Sequence, residues 1–160
     1  MTEELDRIDR ALLLALSGNA RATGAQLAAE LGIAESTVSH RLRRLQGTDY
    51  ITGYHADVDL VRLGIPLQAL IAIRLVRHAR ADIDDFRSIA PHLPGVLGLF
   101  HIAGAEDYLL HVAARDAVEL RDFVLNHLTE HPAVAHTETN LIFEYVRGDG
   151  WLALTDQDAE

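Results

Sequence analysis

The chain has 160 residues, of which 49% are apolar, and a formal net charge of −10 at pH 7. This length can bury one good hydrophobic core or two small ones, and the composition excludes global disorder. No apolar run approaches the roughly eighteen residues of a membrane span, and the acidic start MTEELDRIDR is unlike a signal peptide. Because cysteine is absent, disulfides and thiolate metal sites are excluded. We therefore expect a soluble cytoplasmic protein with no membrane partner.

The charge is unevenly distributed along the chain. All 14 basic residues counted as lysine or arginine are arginines, and residues 1–60 hold six of them against nine carboxylates. Between Ser36 and Thr48, however, three arginines occur with no carboxylate among them. DNA binding depends on local potential more than on net charge, since each phosphate contact releases counterions locally. The acidity therefore lowers non-specific affinity without excluding double-stranded DNA as a partner.

Apolar spacing predicts three helices in the first fifty residues. They cover about Glu4 to Ser17, a segment ending at Gly32, and about Glu35 to Gln46. Their inward positions are predicted to be Leu5, Ile8, Leu12, Leu13 and Leu16, then Leu27, Ala28 and Leu31, then Val38, Leu42 and Leu45. The alternating segment Tyr50–Asp59 follows as a strand or wing. This order is typical of a winged helix-turn-helix, in which a helix enters the DNA major groove.

The third helix carries the residues that predict DNA contact. Early residues of such a helix can reach base edges, and its later arginines can reach phosphates or read guanine. Arginines on an amphipathic helix can equally form an ordinary solvated face, so the interpretation depends on the two preceding helices and the following wing. The predicted DNA-binding residues are Gln26 on the second helix and Ser36, Thr37, Ser39, His40, Arg41, Arg43 and Arg44 on the third.

The second half alternates strands and helices in the order βαββαβ, which is typical of a ferredoxin-like fold. The predicted elements are a strand at Leu67–Val76, a helix at Ala81–His92 with Ile83, Phe86 and Ile89 inward, strands at Val96–Ala103 and Tyr108–Ala114, a helix at Ala117–Thr129 and a long strand at Val134–Val146. A four-stranded sheet with helices on one face leaves its other face uncovered. We expect a second copy to cover that face in a homodimer.

Gly64 and Pro66 mark a boundary between the two halves. The predicted organisation is a DNA-binding domain at 1–60, a linker at 61–66, a sensing and oligomerisation domain at 67–147 and a C-terminal tail at 148–160. The tail carries Trp151, Leu152 and Leu154, which are expected to pack on a neighbour, before an acidic and mobile end.

The hairpin turn Gly104-Ala105-Glu106-Asp107-Tyr108 is the second candidate site. Its backbone amides can hold a carboxylate and Asp107 can meet an ammonium group, so the turn suits an α-amino acid. The alternative is an ordinary turn in which the aspartate caps its own backbone. Thr137 and Thr139 on the last strand are predicted to add hydroxyl groups to the same pocket.

The chain closely resembles the Lrp/AsnC (feast-famine) family of regulators. The resemblance rests on LDRIDRALLLAL at 5–16, AQLAAELGI at 25–33, VSHRLRRL at 38–45, ITGYHADVD at 51–59 and GAEDYLLHV at 104–112. It implies an α+β protein with an N-terminal winged helix-turn-helix and a ferredoxin-like regulatory (RAM) domain. It further implies a dimer, often an octamer of four dimers, that responds to an amino acid or related metabolite and regulates amino-acid metabolism. Residues 104–108 match the family's Gly-x-x-Asp-Tyr effector loop, which lies where two dimers meet.

The chain departs from the family pattern at both ends of the third helix. Ala34 stands where the family usually has a serine N-cap, and Asp49 stands where it usually has glycine. Neither change removes a side chain predicted to contact DNA. Both indicate imperfect caps, since alanine offers no capping oxygen and aspartate tolerates a left-handed conformation less well than glycine.

Two other functional classes remain open at this stage. Haem-pathway decarboxylases resemble the family but tend to carry a His-Asn-Tyr run, whereas this chain has Tyr54-His55 and Asp107-Tyr108. A ligand-sensing assembly protein with a degenerate DNA domain is the other alternative, and Ser39, Arg41 and Arg43 argue against it.

Among the nine histidines, His127 and His131 are four residues apart, but His131 falls at a predicted helix end before Pro132. His101 and His111 flank the hairpin and could face each other, yet scattered exposed or half-buried histidines are the better interpretation. No nucleophile–base pair or phosphate-binding glycine loop is found. We therefore predict a non-enzyme without catalytic residues, metal or cofactor.

Overall fold

The computed structural model describes residues 4–76, 80–146 and 148. Within these residues, no helix combines the length and apolar character needed to cross a membrane. The contacts of the chain divide between Asp57 and Val58 into two units. That division falls shortly before the predicted linker at 61–66.

The N-terminal unit contains three helices: α1 at Arg7–Gly18, α2 at Gly24–Leu31 and α3 at Glu35–Gly47. They surround a small core that includes Leu12, Leu27 and Val38, all fully buried. The helix α2 ends at Gly32, whose φ of 65° is a left-handed conformation that suits glycine. This turn sets the direction of α3 and so determines which face of α3 remains exposed.

The caps of α3 are as imperfect as the sequence predicts. Ala34 is the N-cap and makes no side-chain hydrogen bond to the helix. After the helix, Asp49 has a φ of 59°, which is uncommon for a residue with a side chain. The N-terminal amides of α3 therefore lack the side-chain acceptor that Asp6 gives to α1 and Thr23 gives to α2.

Replacing Ala34 with serine should stabilise the N-terminal unit by about 1 kcal/mol, because serine supplies a capping oxygen. The measurement is the thermal unfolding midpoint followed by circular dichroism. Ala34→Val is the matched control, since valine adds side-chain atoms without an acceptor. A midpoint in Ala34→Ser that is unchanged or lower would contradict the cap assignment.

The predicted strand or wing at Tyr50–Asp59 is wrong as a strand, because none of these residues pairs with another strand in the described part of the chain. Tyr50 and Ile51 instead pack against the three-helix core. Beyond them, the Tyr54 hydroxyl accepts a hydrogen bond from Gln46 Nε2 at 3.1 Å. Alternating sequence alone does not form a strand without a neighbouring backbone edge to receive its hydrogen bonds.

The second unit contains β1 at Leu67–Leu75, α4 at Arg80–Ile89 with a 3₁₀ turn at Ala90–His92, β2 at Val96–His101, β3 at Tyr108–Ala114, α5 at Ala117–Phe123 continued by a π-helical segment at Val124–Thr129, and β4 at Val134–Leu141. The four strands form one sheet in the order β2-β3-β1-β4, and each neighbouring pair is antiparallel. This confirms the predicted α+β class and the ferredoxin-like order.

Side chains alternate between two faces along the central strands. One face carries Ile71, Ile73, Leu110 and Val112, which pack with Phe86 of α4 and are at most 1% exposed. The opposite face carries shorter or more accessible groups on the same strands, namely Leu70, Ala72, Leu109, His111 and Ala113, with Phe100 of β2. Phe100 is 53% exposed. The sheet therefore has one face buried by helices and one face with accessible apolar groups.

Several boundaries differ from the sequence-based expectation, among them the end of β2 at His101 instead of Ala103, and two of the differences change the packing or pairing of a named residue. Ile89 is 43% exposed rather than inward, because α4 ends there and Ala90 of the 3₁₀ turn takes the buried position at 1% exposed. The last strand ends at Leu141 rather than Val146. Leu141 pairs with Ala69, and the Ile142 amide still donates to the Gln68 carbonyl oxygen at 2.8 Å, so the pairing ends close to the start of β1 at Leu67.

The predicted packing role of the tail falls on residues outside the described part of the chain. Of residues 148–160, only Gly148 is described, so Trp151, Leu152 and Leu154 lie beyond the structural account.

Candidate functional site

The exposed face of α3 carries most of the side chains that the sequence predicts to contact DNA. Ser36, Ser39, His40 and Arg43 are exposed, and Thr37 is half-buried. The Arg43 Nε atom donates to the Ser39 carbonyl oxygen at 3.2 Å, within the same helix. The arrangement places hydroxyl, imidazole and guanidinium donors on one surface, which suits both base edges and phosphates.

Arg41 and Arg44 are engaged with α1 instead of lying open on this surface. Arg41 Nη1 lies 2.6 Å from Asp6 Oδ2 and 2.9 Å from Asp9 Oδ1. Arg44 Nη2 also pairs with Asp9 Oδ2. Asp9 is fully buried, so these two arginines neutralise a carboxylate inside the unit. They join α3 to α1.

The electrostatics of this cluster favour the charged forms of Asp6 and Arg41. A hydrogen bond from the Asp9 amide, followed by one from the Arg41 guanidinium, lowers the pKa of Asp6 to about 2. In turn, hydrogen bonds to Asp6 and Asp9 raise the pKa of Arg41. Among the described residues, Arg43 is the arginine of α3 without a carboxylate partner. The cationic surface is therefore smaller than the sequence suggests.

Gln26 has a capping function in the structure. Its Oε1 atom accepts a hydrogen bond from the Thr23 amide at 2.8 Å, while its own amide donates to Thr23 Oγ1 at 3.2 Å. This reciprocal pair is the capping box of α2. The side chain remains exposed, although its amide oxygen is already in use.

Asp6 and Asp9 were missed as site residues. Asp9 lies three residues before Leu12 and seven before Leu16, so it falls on the same buried stripe of α1. A carboxylate on an apolar stripe requires a cationic partner, and that signal could have identified it. The sequence alone does not identify which arginine forms the ion pair with Asp9, because Arg41 and Arg44 lie more than thirty residues away along the chain.

The turn between β2 and β3 forms the second candidate site. Gly104 has a φ of 154°, and a Cβ atom there would meet nothing within 4 Å. The amides of Gly104, Ala105 and Glu106 have no acceptor among the described residues. These three consecutive donors at an exposed turn can receive a carboxylate.

Asp107 is tied to the neighbouring strand. Its Oδ2 atom accepts from the Leu75 amide at 2.7 Å, and its own amide donates to the Ile73 carbonyl at 2.9 Å. The carboxylate therefore caps β1 at the place where the β1–β4 register shifts. The aspartate caps backbone, but on another strand rather than within its own turn. One of its two carboxylate oxygens is therefore already occupied by a hydrogen bond within the domain.

Glu106 carries a polar atom without a partner. Its Oε1 atom pairs with Arg74 Nη2 at 2.7 Å, while its buried Oε2 atom has no hydrogen bond in the described structure. Hydrogen bonding to Glu106 raises the pKa of Arg74. A buried carboxylate oxygen without a donor is costly, so Glu106 is ready to accept a hydrogen bond at this turn.

Tyr108, Thr137 and Thr139 share the helix-covered side of the sheet. Ile73 pairs with Tyr108 on one side and with Thr137 on the other, whereas Thr139 pairs with Ile71. Tyr108 is 3% exposed and stacks on His101 with ring centroids 4.7 Å apart. Thr137 therefore lies in the same row as the end of the turn, and Thr139 lies two residues further along β4. Across the described residues, no group of three potential ligands forms a metal site.

Comparison with known proteins decides the family. Residues 5–52 match a family described as winged helix-turn-helix DNA-binding, and residues 68–152 match the Lrp/AsnC ligand binding domain. The chain belongs to the Lrp/AsnC family. It is 44% identical to the HTH-type transcriptional regulator AldR of Mycolicibacterium smegmatis over 145 residues, which cover 91% of this chain and 85% of that one.

Other Lrp/AsnC proteins agree with this assignment along the whole chain. The proline dehydrogenase transcriptional activator of Rhodobacter capsulatus is 32% identical over 91% of this chain and 95% of its own. A transcriptional regulator from Neisseria meningitidis, solved in complex with L-Met, superposes with a TM-score of 0.87 at 27% identity, covering 96% of this chain and 99% of that one. The protein is thus a DNA-binding transcriptional regulator of the Lrp/AsnC type and not an enzyme.

Proposed function

We propose that this Lrp/AsnC protein is a sequence-specific regulator of amino-acid metabolism whose α3 reads DNA and whose second domain binds an amino acid or related metabolite. The observation that carries the DNA part is the exposed face of α3, where Ser36, Ser39, His40 and Arg43 are accessible together. It is supported by the match of residues 5–52 to winged helix-turn-helix domains.

The contacts divide by position on the helix. Ser36, Ser39 and His40 are proposed to approach base edges, with Arg43 reading a guanine or a flanking phosphate. Arg41 and Arg44 are held in place by their ion pairs with Asp9. They are therefore proposed to contribute to DNA binding mainly through the positive electrostatic potential that they add beside α3. Thr37 and Gln26 border this surface, and their polar side chains are proposed to contact the sugar-phosphate backbone of the DNA.

The proposed effector site is the turn at residues 104–108 with Thr137 and Thr139 beside it. The unpartnered amides of Gly104, Ala105 and Glu106 suit the effector's carboxylate. The vacant Glu106 Oε2 atom and the second oxygen of Asp107 suit its ammonium group. A relative's complex with L-Met supports an amino acid as the chemical class.

Assembly is the proposed link between the two domains. The accessible apolar face of the sheet, with Leu109 and Phe100, supports a homodimer, and the family supports higher assembly to an octamer in the cytoplasm. The effector shifts the regulator only if it binds two assembly or DNA-bound states with different affinities. Light scattering tests the dimer, since a particle of 17.6 kDa would be a monomer and would contradict it.

The effector assignment is tested by a thermal-shift screen of the twenty amino acids on the full chain. A true effector should raise the unfolding midpoint, because a ligand that binds only the folded state stabilises it. Asp107→Asn should abolish this rise while keeping an oxygen that can accept from the Leu75 amide.

The matched control is Asp116→Asn, because Asp116 also caps backbone in the same domain, through the Glu119 amide, away from the turn. The control should retain the full shift. A shift that survives undiminished in Asp107→Asn would overturn the loop assignment. The absence of a shift with every amino acid would overturn the proposed effector class.

A further inference from the structure

A groove of about 420 Å³ runs along α3 and is lined by Asp6, Ser36, Thr37, His40, Arg41 and Arg44. Asp6 is the acidic member of this lining. It comes from the residue before α1, and its carboxylate lies 2.6 Å from the Arg41 guanidinium. A negative charge therefore sits within the surface that is proposed to meet a polyanion.

The two carboxylates on Arg41 differ in exposure. The Asp9 side chain is 1% exposed and also engages Arg44, so it belongs to the interior of the unit. The Asp6 side chain is 52% exposed and reaches Arg41 from the solvent side. If Asp6 were removed from Arg41, Asp9 would still hold the guanidinium in place. Asp6 is thus unnecessary as an anchor for this arginine.

We propose that Asp6 occupies, on Arg41, the place that a DNA phosphate would take, and thereby lowers the affinity of the protein for DNA of any sequence. The inference rests on the proposed DNA-contacting role of α3. Carboxylate and phosphate oxygens both accept from a guanidinium in the same geometry, so they compete for it. Asp6 stays ionised at every pH at which a DNA duplex is stable, since its pKa is lowered to about 2.

The consequence is a lower affinity for all DNA, with the ratio of operator to non-operator affinity unchanged. Phosphate contacts carry no sequence information, so weakening one of them reduces binding to all DNA alike. Contacts to base edges from Ser36, Ser39 and His40 then account for a larger share of the total free energy of DNA binding. An acidic residue in the interface would help to keep the protein from binding non-operator DNA.

The test uses the full-length protein, Asp6→Asn and a fluorescein-labelled duplex of mixed sequence, with binding measured by anisotropy over a series of salt concentrations. Asparagine keeps the side-chain oxygen that caps α1, so the fold is preserved while the charge is removed. We expect Asp6→Asn to bind about three- to tenfold tighter at low salt. The slope of log K against log salt should steepen by up to about 0.9, which corresponds to one additional phosphate contact.

Two further variants make the result decisive. Asp6→Ser is a second neutral N-cap and should give the same gain. Asp84→Asn changes the net charge equally, but Asp84 is exposed on α4 of the second unit, so its gain should be much smaller. An equal gain in Asp84→Asn, or an unchanged or weaker affinity in Asp6→Asn, would overturn the inference. Failure of the wild-type protein to bind any duplex would instead overturn the role of α3, and this inference with it.

Discussion

Replacing Asp9 with alanine should lower the free energy of unfolding of the N-terminal unit by about 3 kcal/mol, because it removes a buried carboxylate that pairs with both Arg41 and Arg44. Asp9 is fully buried between Arg41 and Arg44, and it also accepts a hydrogen bond from the Asp6 amide. Urea unfolding followed by circular dichroism measures the change.

The control for this prediction is a double-mutant cycle with Arg41→Ala. If Asp9 acts through the ion pair, the loss caused by Asp9→Ala should be smaller in the Arg41→Ala background, since one of its partners is already absent. Asp9→Asn should fall between wild type and Asp9→Ala, because it retains an acceptor without the charge. A loss below about 1 kcal/mol for Asp9→Ala would contradict a buried, paired carboxylate.

The second large effect is expected on DNA affinity. Arg43→Ala should weaken binding to a natural operator by roughly ten- to a hundredfold, the range for loss of a bidentate base contact. Because Arg43 is exposed and, within the described part of the chain, is bonded only to its own helix, the unfolding midpoint should remain unchanged. Anisotropy titration with the operator, selected from random duplexes by the wild-type protein, gives the affinity.

Arg87→Ala is the matched control for Arg43→Ala, since it removes the same charge from an exposed position on α4. The affinity of Arg87→Ala for the operator should stay within about twofold of wild type, because a single charge outside the interface is screened by salt. Equal losses in the two variants would indicate a general charge effect and would contradict a direct contact by Arg43.

Features that depend on local sequence were predictable. The stripe of Val38 and Leu45 on α3 follows from residues within one or two turns of each other, whereas the imperfect caps at Ala34 and Asp49 were indicated by departures from the family pattern. The βαββαβ order was equally accessible, because each element there carries its own apolar period.

Features that depend on distant partners were not predictable. The apolar stripe of α1 indicates that Asp9 is buried, but only the folded unit shows that Arg41 and Arg44 meet it. In the same way, Asp107 was expected either to bind a ligand or to cap its own turn, whereas it caps β1 through the Leu75 amide. In both cases a charged group makes a contact within the fold that the sequence does not reveal.

The segment Tyr50–Asp59 fails for a related reason. Its alternation has the period of a strand, but pairing needs a second backbone edge that the described residues do not supply. Ile89 shows that helical spacing predicts burial only as far as the helix extends. The helix α4 ends at Ile89, and Ala90 takes the buried position in its place. Periodicity thus identified the elements more reliably than it identified their ends or partners.

The central claim is that the exposed face of α3 lies against DNA. The chain contains no cysteine, so Ser39→Cys would introduce a single thiol on that face and Ser17→Cys a single thiol at the exposed end of α1. Each variant can be labelled with a photocrosslinker and irradiated with the operator duplex. We expect strong crosslinks from position 39 and few or none from position 17. Equal crosslinking from the two positions, or crosslinking from position 17 alone, would contradict this claim.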